Sequence, residues 1–314
     1  MRHRDIFNCE LMIVAGKGGV GKTTLAAALA LAAAHRNHEV LVAEVAGQSR
    51  VPSLLGRSAA ITPGEEQRLT PQISATTIDP EAALVEWAGR LIRPRALLDL
   101  AVGSNSFSGF INAAPGGREL LTITKAAELS REDRWDDQAQ RYQPVILDAP
   151  ASGHALAMLR TPTTFAEIAR VGPIASQARE VESLLADPTR CAIVLATTLE
   201  ETPVNETIEL EIALTTQLGR EINLIVANGL ANDDLSDLEL AQLGKASENL
   251  DATVVEAVRS VHSKEKLQRD QLARLLESVT APVIELPAIT GHAIGPDEVD
   301  SLAAALGAAI DTLG

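Results

Sequence analysis

Apolar residues recur along this chain in two alternating patterns. Short, nearly unbroken runs have the length and branched content of buried strands. They are Leu11-Met12-Ile13-Val14-Ala15, Val40-Leu41-Val42-Ala43, Val145-Ile146-Leu147, residues 192–196, residues 224–227 and Val283-Ile284-Glu285-Leu286. Ile73 to Ile78 alternates apolar with small polar residues and predicts one more. Longer helical stretches lie between them. Thr23 to His35 is rich in Ala and Leu and apolar nearly all round, which predicts a buried helix. Asp79-Pro80-Glu81 places an N-cap acid before a Pro at the first helical position. Pro115-Gly116-Gly117 breaks the chain before another helix, and Thr202-Pro203 opens one that runs to about Leu218 and is closed by Gly219. A last helix covers Glu298 to Leu313. Strands alternating with helices predict an α/β fold: a mostly parallel sheet with helices on both faces. No repeat or Gly/Ser/Pro linker divides the chain, and the Pro/Gly cluster at 287–296 is too short to do so. The expectation is a single domain over 1–314, with a helical elaboration at about 50–140 inserted between core strands.

Composition narrows the picture. With 314 residues, 46% of them hydrophobic, the chain can bury a large core without metals or disulfides. Aromatic residues make up only 2%, so that core must consist of Ala, Leu, Val and Ile. The formal net charge of −15, with no run of Lys or Arg, argues against a nucleic-acid partner. Cys9 and Cys191 are far apart and no Cys-x-x-Cys exists, which excludes a zinc ribbon or dithiol redox motif. Each flanks an apolar run and reads as a small buried thiol. The start, Met1-Arg2-His3-Arg4-Asp5, lacks the apolar region of a signal peptide, and no stretch of 18 apolar residues exists. The expectation is a cytoplasmic chain with no integral membrane segment. Ser263 to Leu276 carries Lys264, Lys266, Arg269 and Arg274 among leucines, but the interleaved acids make it an ordinary surface helix.

The chemistry begins at Gly16-Lys17-Gly18-Gly19-Val20-Gly21-Lys22-Thr23. This fits G-x-x-x-x-G-K-[ST] between a strand and a helix, the context a phosphate-binding P-loop needs. Glycines let backbone N–H groups turn inward around phosphate oxygens, and the helix N-terminus adds partial positive charge. Residues Gly16, Gly18, Gly19, Val20, Gly21, Lys22, Thr23 and Thr24 are therefore the nucleotide-binding candidates. Lys22 should reach the β- and γ-phosphates and Thr23 should ligate Mg²⁺. Asp148 ends the strand 145–147, at the sheet edge where such folds bind ligands, and its natural role is to hold the Mg²⁺ shell. An N-cap role for Asp148 is the alternative. Gly153 could offer a backbone N–H to the γ-phosphate, making 148–154 a switch that distinguishes ATP from ADP.

Asp148-Ala149-Pro150-Ala151-Ser152-Gly153-His154, followed by Ala155-Leu156 and Thr161-Pro162, resembles the Asp-Thr-Ala-Pro-Thr-Gly-His segment of the arsenite-pump ATPase family. That family includes the ATPase that targets tail-anchored membrane proteins, and the likeness is to a bacterial branch of unassigned cargo. Ile78-Asp79-Pro80, Pro115-Gly116-x-Arg118-Glu119-Leu120, Gly172-Pro173-Ile174, Pro203-Val204-x-Glu206-Thr207, Asn228 and Leu286-Pro287 fit as well, so the resemblance covers nearly the whole chain. It implies an ATP/ADP-binding, Mg²⁺-dependent dimeric ATPase. It also implies that Lys17, the second lysine of a "deviant" P-loop, acts across the dimer interface on the partner's nucleotide, as an arginine finger does. Lys17, Lys22 and Asp148 are then the catalytic candidates, and Asn228 and Pro287 belong to the nucleotide site. Asn228 would read adenine; a turn-forming Asn before Gly229 is the other reading. The segment Asn228-Gly229-Leu230-Ala231 also lacks the Asp that would pair with guanine.

Three departures from the family pattern matter. Where much of the family has an Asp after the second strand to orient the attacking water, Glu44-Val45-Ala46-Gly47-Gln48 places Ala46. Hydrolysis is then slow or completed by a partner, unless Glu44 or Gln48 substitutes. Family thiols for arsenite or zinc are absent. Only Met1, Met12 and Met158 exist, so no Met-rich client groove is present; Leu84, Trp87, Leu91, Leu97, Leu98 and Leu100 line either a groove or a core. The expected function is an ATPase, a homodimer or a heterodimer with a paralogous ATPase, coupling nucleotide state to an unidentified protein or hydrophobic client. The alternative is a weakly hydrolysing switch subunit of a heterodimer. DNA-segregating and septum-positioning ATPases are disfavoured by the acidic C-terminal helix, and an iron–sulfur reductase by the placement of the cysteines.

Overall fold

The computed structural model describes residues 5–45, 48–58, 60–91, 115–136, 138–169, 171–231, 239, 252–289 and 293–313, with the side chains of Leu91 and Ala252 left aside. The described strands are β1 (Leu11–Gly16), β2 (Val40–Val45), β3 (Gln67–Arg68), β4 (Ile73–Ile78), β5 (Val145–Asp148), β6 (Cys191–Thr198), β7 (Leu224–Leu230) and β8 (Val283–Pro287). They form one sheet in the order β3-β4-β2-β5-β1-β6-β7-β8. Every pairing is parallel except β3 with β4. The mostly parallel α/β sheet expected from the alternating pattern is what the chain builds. Within the range 50–140, β3 and β4 are part of this sheet, and of the described helices there one short helix precedes them and two follow β4.

Continuous apolar runs arise because side chains of each strand alternate between two covered faces. Met12, Val14, Val42, Ile146, Val194 and Val226 meet α1 (Lys22–Ala34) and the C-terminal helix on one face. Leu11, Ile13, Leu41, Leu147, Ile193 and Ile225 pack against the helices of the other. Nearly all of α1 is buried, and its alanines let it lie close to the sheet. The remaining described helices are α2 (Val51–Leu54), α3 (Pro80–Leu91), α4 (Gly117–Leu129), α5 (Ser152–Ala169), α6 (Pro173–Ala186), α7 (Glu201–Leu218), α8 (Ala252–Ser278) and α9 (Pro296–Leu313).

Local signals act as the residues suggest. Asp79 Oδ1 accepts the N–H groups of Glu81 (2.8 Å) and Ala82 (2.9 Å), capping α3. Gly219 closes α7 in the left-handed conformation. Lys264, Lys266, Arg269 and Arg274 of α8 are exposed, while Leu272 and Leu275 are buried. Asp148 caps no helix: its carboxylate turns to α1 instead.

Candidate functional site

The loop between β1 and α1 sits at the carboxyl edge of the sheet, centred on its middle strands. Gly16 enters it at φ 146°, where an added Cβ would lie 2.2 Å from the Ala196 carbonyl oxygen of β6. Only glycine lets the chain pass so close to the neighbouring strand. Gly21, at φ 91°, opens α1 with Asn228 Nδ2 only 2.5 Å from where a Cβ would stand. That amide donates to the Val20 carbonyl at 2.9 Å, so Asn228, near the end of β7, braces the loop from the side. Gln268 of α8 steadies the residues after it, donating to the Gly229 carbonyl (3.0 Å) and accepting from the Ala231 N–H (2.7 Å). Sequence reasoning missed Gln268; a Gln within a polar stretch leaves no local signal, and its burial shows only in the fold.

Two charged side chains define the loop's mouth. Lys22 Nζ donates to the Lys17 carbonyl at 3.0 Å; burial lowers its pKa and nearby Asp148 opposes that. Thr23 Oγ1 donates to Asp148 Oδ2 at 2.6 Å, joining the first turn of α1 to the end of β5. Asp148 is 2% exposed, and its Oδ1 is buried with no hydrogen-bond partner among the described residues. Burial raises its pKa, only partly offset by Thr23 and Lys22. A buried carboxylate oxygen without a donor is costly.

Glu44 stands opposite Asp148 in the β2–β5 register and is fully buried. Its oxygens accept the N–H groups of Arg50 (2.7 Å) and Val51 (3.3 Å), which ties β2 to the start of α2. Burial raises its pKa against those two bonds. Gln48 is exposed, and its carbonyl accepts from Thr77 Oγ1 at 3.2 Å. Ala46 and Gly47 lie outside the described residues.

On the other side of the loop, Lys17 Nζ pairs with Glu206 Oε1 of α7 at 2.8 Å. Ser152 Oγ, at the start of α5, donates to Glu206 Oε2 at 2.9 Å. Lys17 accordingly holds the Glu206 carboxyl below the ordinary range. Gly153 and His154, in the first turn of α5, are exposed. Pro287 closes β8 opposite Leu230, three strands from β1. The structure thus brings residues 16–24, Asp148 and Asn228 together, with Gly153 on the adjoining turn and Pro287 farther out.

Cys9 and Cys191 are buried free thiols whose pKa burial raises, that of Cys191 to about 12. Of the groove candidates, Leu84 is buried, Trp87 half-buried, and Leu97, Leu98, Leu100 and the Leu91 side chain lie outside the described residues. No described group of three or more His, Cys, Asp or Glu could hold a metal by itself.

This combination of a two-lysine loop, a strand-end acid and a doubly wound sheet has close parallels among known proteins. A family model for anion-transporting ATPases matches residues 9–171, just over half of the chain. The chain belongs to the anion-transporting ATPase family. Among its relatives is the ATPase BagA of Mycobacterium tuberculosis, 28% identical over 90% of this chain and 88% of that one. The arsenical pump-driving ATPase of Escherichia coli is 27% identical over 70% of this chain and 40% of its own length. The ATPase GET3 of Kluyveromyces lactis is 29% identical over 55% of this chain and 51% of its own. Membership in this ATPase family gives the P-loop its nucleotide, ATP, and gives the protein an ATP-dependent activity. No described helix is long and apolar enough to cross a membrane.

Proposed function

We propose that this protein is a Mg²⁺-dependent ATPase that closes into a dimer on ATP and relays its nucleotide state to a bound client in the cytoplasm. The observation that carries this reading is Asp148 Oδ1, buried without a partner beside the Thr23 hydroxyl at the P-loop. Hard oxygen donors of this kind fit Mg²⁺, which Thr23 and Asp148 would hold. Bound there with ATP, Mg²⁺ neutralises charge on the transferred phosphoryl group. The backbone amides of 16–23 cradle the phosphates, and Lys22 swings from the Lys17 carbonyl to the β- and γ-phosphates. Gly153 offers its N–H on the switch side. Asn228 keeps its Oδ1 for the adenine amino group while its amide braces the loop, and Pro287 borders the base.

Lys17 supports the dimer: it is the second lysine of the loop and acts on the partner's nucleotide. The partner is a second copy or a paralogous ATPase, and the client is a protein or hydrophobic segment. Both Glu44 oxygens are engaged by backbone N–H groups, so Glu44 is a brace rather than the residue that orients water. Gln48, which is exposed, is the remaining candidate substitute. The engagement of Glu44 also favours a second reading, a weakly hydrolysing switch subunit completed by a paralogue.

Single-turnover hydrolysis with Mg²⁺, paired with the solution mass in ATP and in ADP, tests these readings. The proposal expects a dimer in ATP, a monomer in ADP, and slow but measurable turnover. Turnover only with a paralogous subunit selects the second reading. A monomer in both nucleotides contradicts the first.

A further inference from the structure

The Glu206 carboxylate touches both the P-loop and the start of α5. One oxygen holds Lys17 from the P-loop at 2.8 Å, and the other accepts from Ser152, four residues beyond Asp148, at 2.9 Å. Glu206 itself stands on α7, whose buried residues Val204, Thr207, Leu210 and Leu214 fix the helix against the fold. A helix packed against the fold therefore holds one side chain of the P-loop and one from the first turn of α5.

We infer that Glu206 is a positioning residue acting as a resting latch: it keeps Lys17 within its own protomer and Ser152 against α7 until closure onto ATP draws both away. The inference rests on the trans role of Lys17 proposed above. Reaching a neighbour's nucleotide carries the Lys17 ammonium across the dimer interface and away from Glu206 of its own protomer, so closure breaks this contact in each protomer. Both side chains of the pair are about one-third exposed, 32% each. An ion pair so open to water is weak, worth about a two- to fivefold bias in an equilibrium. That is enough to suppress premature closure and too little to prevent it. Because both protomers release a latch, the bias enters the dimer constant twice, as about 4- to 25-fold.

Glu206→Gln keeps the shape and the Ser152 contact but removes the charge that holds Lys17. Sedimentation velocity with Mg²⁺ and a non-hydrolysable ATP analogue gives the dimer constant of the wild type, Glu206→Gln, Lys17→Ala and the double variant. The latch predicts tighter dimerisation of Glu206→Gln by the stated factor, and no further change when Glu206→Gln is added to Lys17→Ala. Equal or weaker dimerisation of Glu206→Gln overturns it, as does an effect that persists without Lys17. If Lys17→Ala dimerises like the wild type, the trans role itself fails and the latch with it. A second readout needs no dimer: in protein with ¹³C-methylated lysines, the Lys17 resonance, assigned with Lys17→Arg, shifts in Glu206→Gln. An unmoved resonance overturns the latch whatever the dimer constants show. Thermal melting confirms that each variant is folded.

Discussion

Glu128 and Asp148 are both buried carboxylates, 1% and 2% exposed, and the fold treats them in opposite ways. Glu128, on α4, accepts from Lys125 at 2.7 Å, Arg134 at 2.8 Å and the Trp135 N–H at 2.9 Å. Burial alone would raise its pKa, yet Lys125 and Arg134 together hold it below the ordinary value. Arg134 continues to Glu66 at 2.6 Å, and Lys125 to Glu86, so the cluster binds α4 to α3 and to the strap before β3. Asp148 has one donor, Thr23, one oxygen without any, and a raised pKa. A saturated buried acid is a structural joint. An unsaturated one, at the carboxyl edge of a parallel sheet, costs stability, which is what the cation site proposed above would leave before its cation binds.

The largest expected effect breaks the joint. Glu128→Ala leaves Arg134 and Lys125 without their central acid and should lower unfolding free energy by about 3–5 kcal/mol, read from denaturant midpoints. Opposite behaviour is expected at the site. Asp148→Asn should lower ATP turnover at least about 100-fold, or roughly 2.7 kcal/mol. The same variant should melt higher than the wild type when Mg²⁺ is withheld. The sign follows from the raised pKa: the unfolded chain gives up this proton at a lower pH than the folded one. The protonated carboxyl therefore contributes its full stability below its ordinary pKa of 3.8, and that contribution is lost as pH rises through the folded value. The melting advantage of Asp148→Asn should accordingly grow from acid toward neutral pH, and a constant gap would argue against an uncompensated charge.

A third buried acid sharpens the contrast. Cys191 has its pKa pushed from 9.0 to about 12 by burial, so between those values the unfolded chain ionises and the folded one does not. Wild-type stability should fall by about 1.4 kcal/mol at pH 10 from this thiol, and Cys191→Ala should lack that part of the alkaline loss. The smallest effect concerns an acid at the surface. Asp79→Ala removes the cap of α3 and should cost about 1 kcal/mol in chemical denaturation without touching nucleotide binding.

Much of this arrangement could be read from residue order because the strands are covered on both faces. Most of their runs are continuous, and β5 ends at a candidate site residue, Asp148. The two-residue β3 is too short to show a period, and its antiparallel pairing depends on β4 lying beside it. Helix α6 carries Gln177, Arg179, Glu180 and Glu182 among its apolar residues, so its narrow apolar stripe did not stand out. The P-loop was legible because glycine spacing and two lysines are local. Glu206 meeting Lys17, Glu66 meeting Arg134 and Gln268 pinning Gly229 bring together residues far apart in sequence, and no local pattern marks them. Glu44 was singled out as an acid near the water position; tertiary packing instead made it a backbone brace.

Thr23 and Asp148 are proposed to complete a magnesium-dependent ATP site. Calorimetric titration of ATP into the wild type and Asp148→Asn, each with and without Mg²⁺, tests it most directly. Mg²⁺ should tighten ATP binding to the wild type at least about tenfold, some 1.4 kcal/mol, and Asp148→Asn should lose most of that gain. Binding to the wild type that ignores Mg²⁺, or a full Mg²⁺ effect in Asp148→Asn, would contradict it.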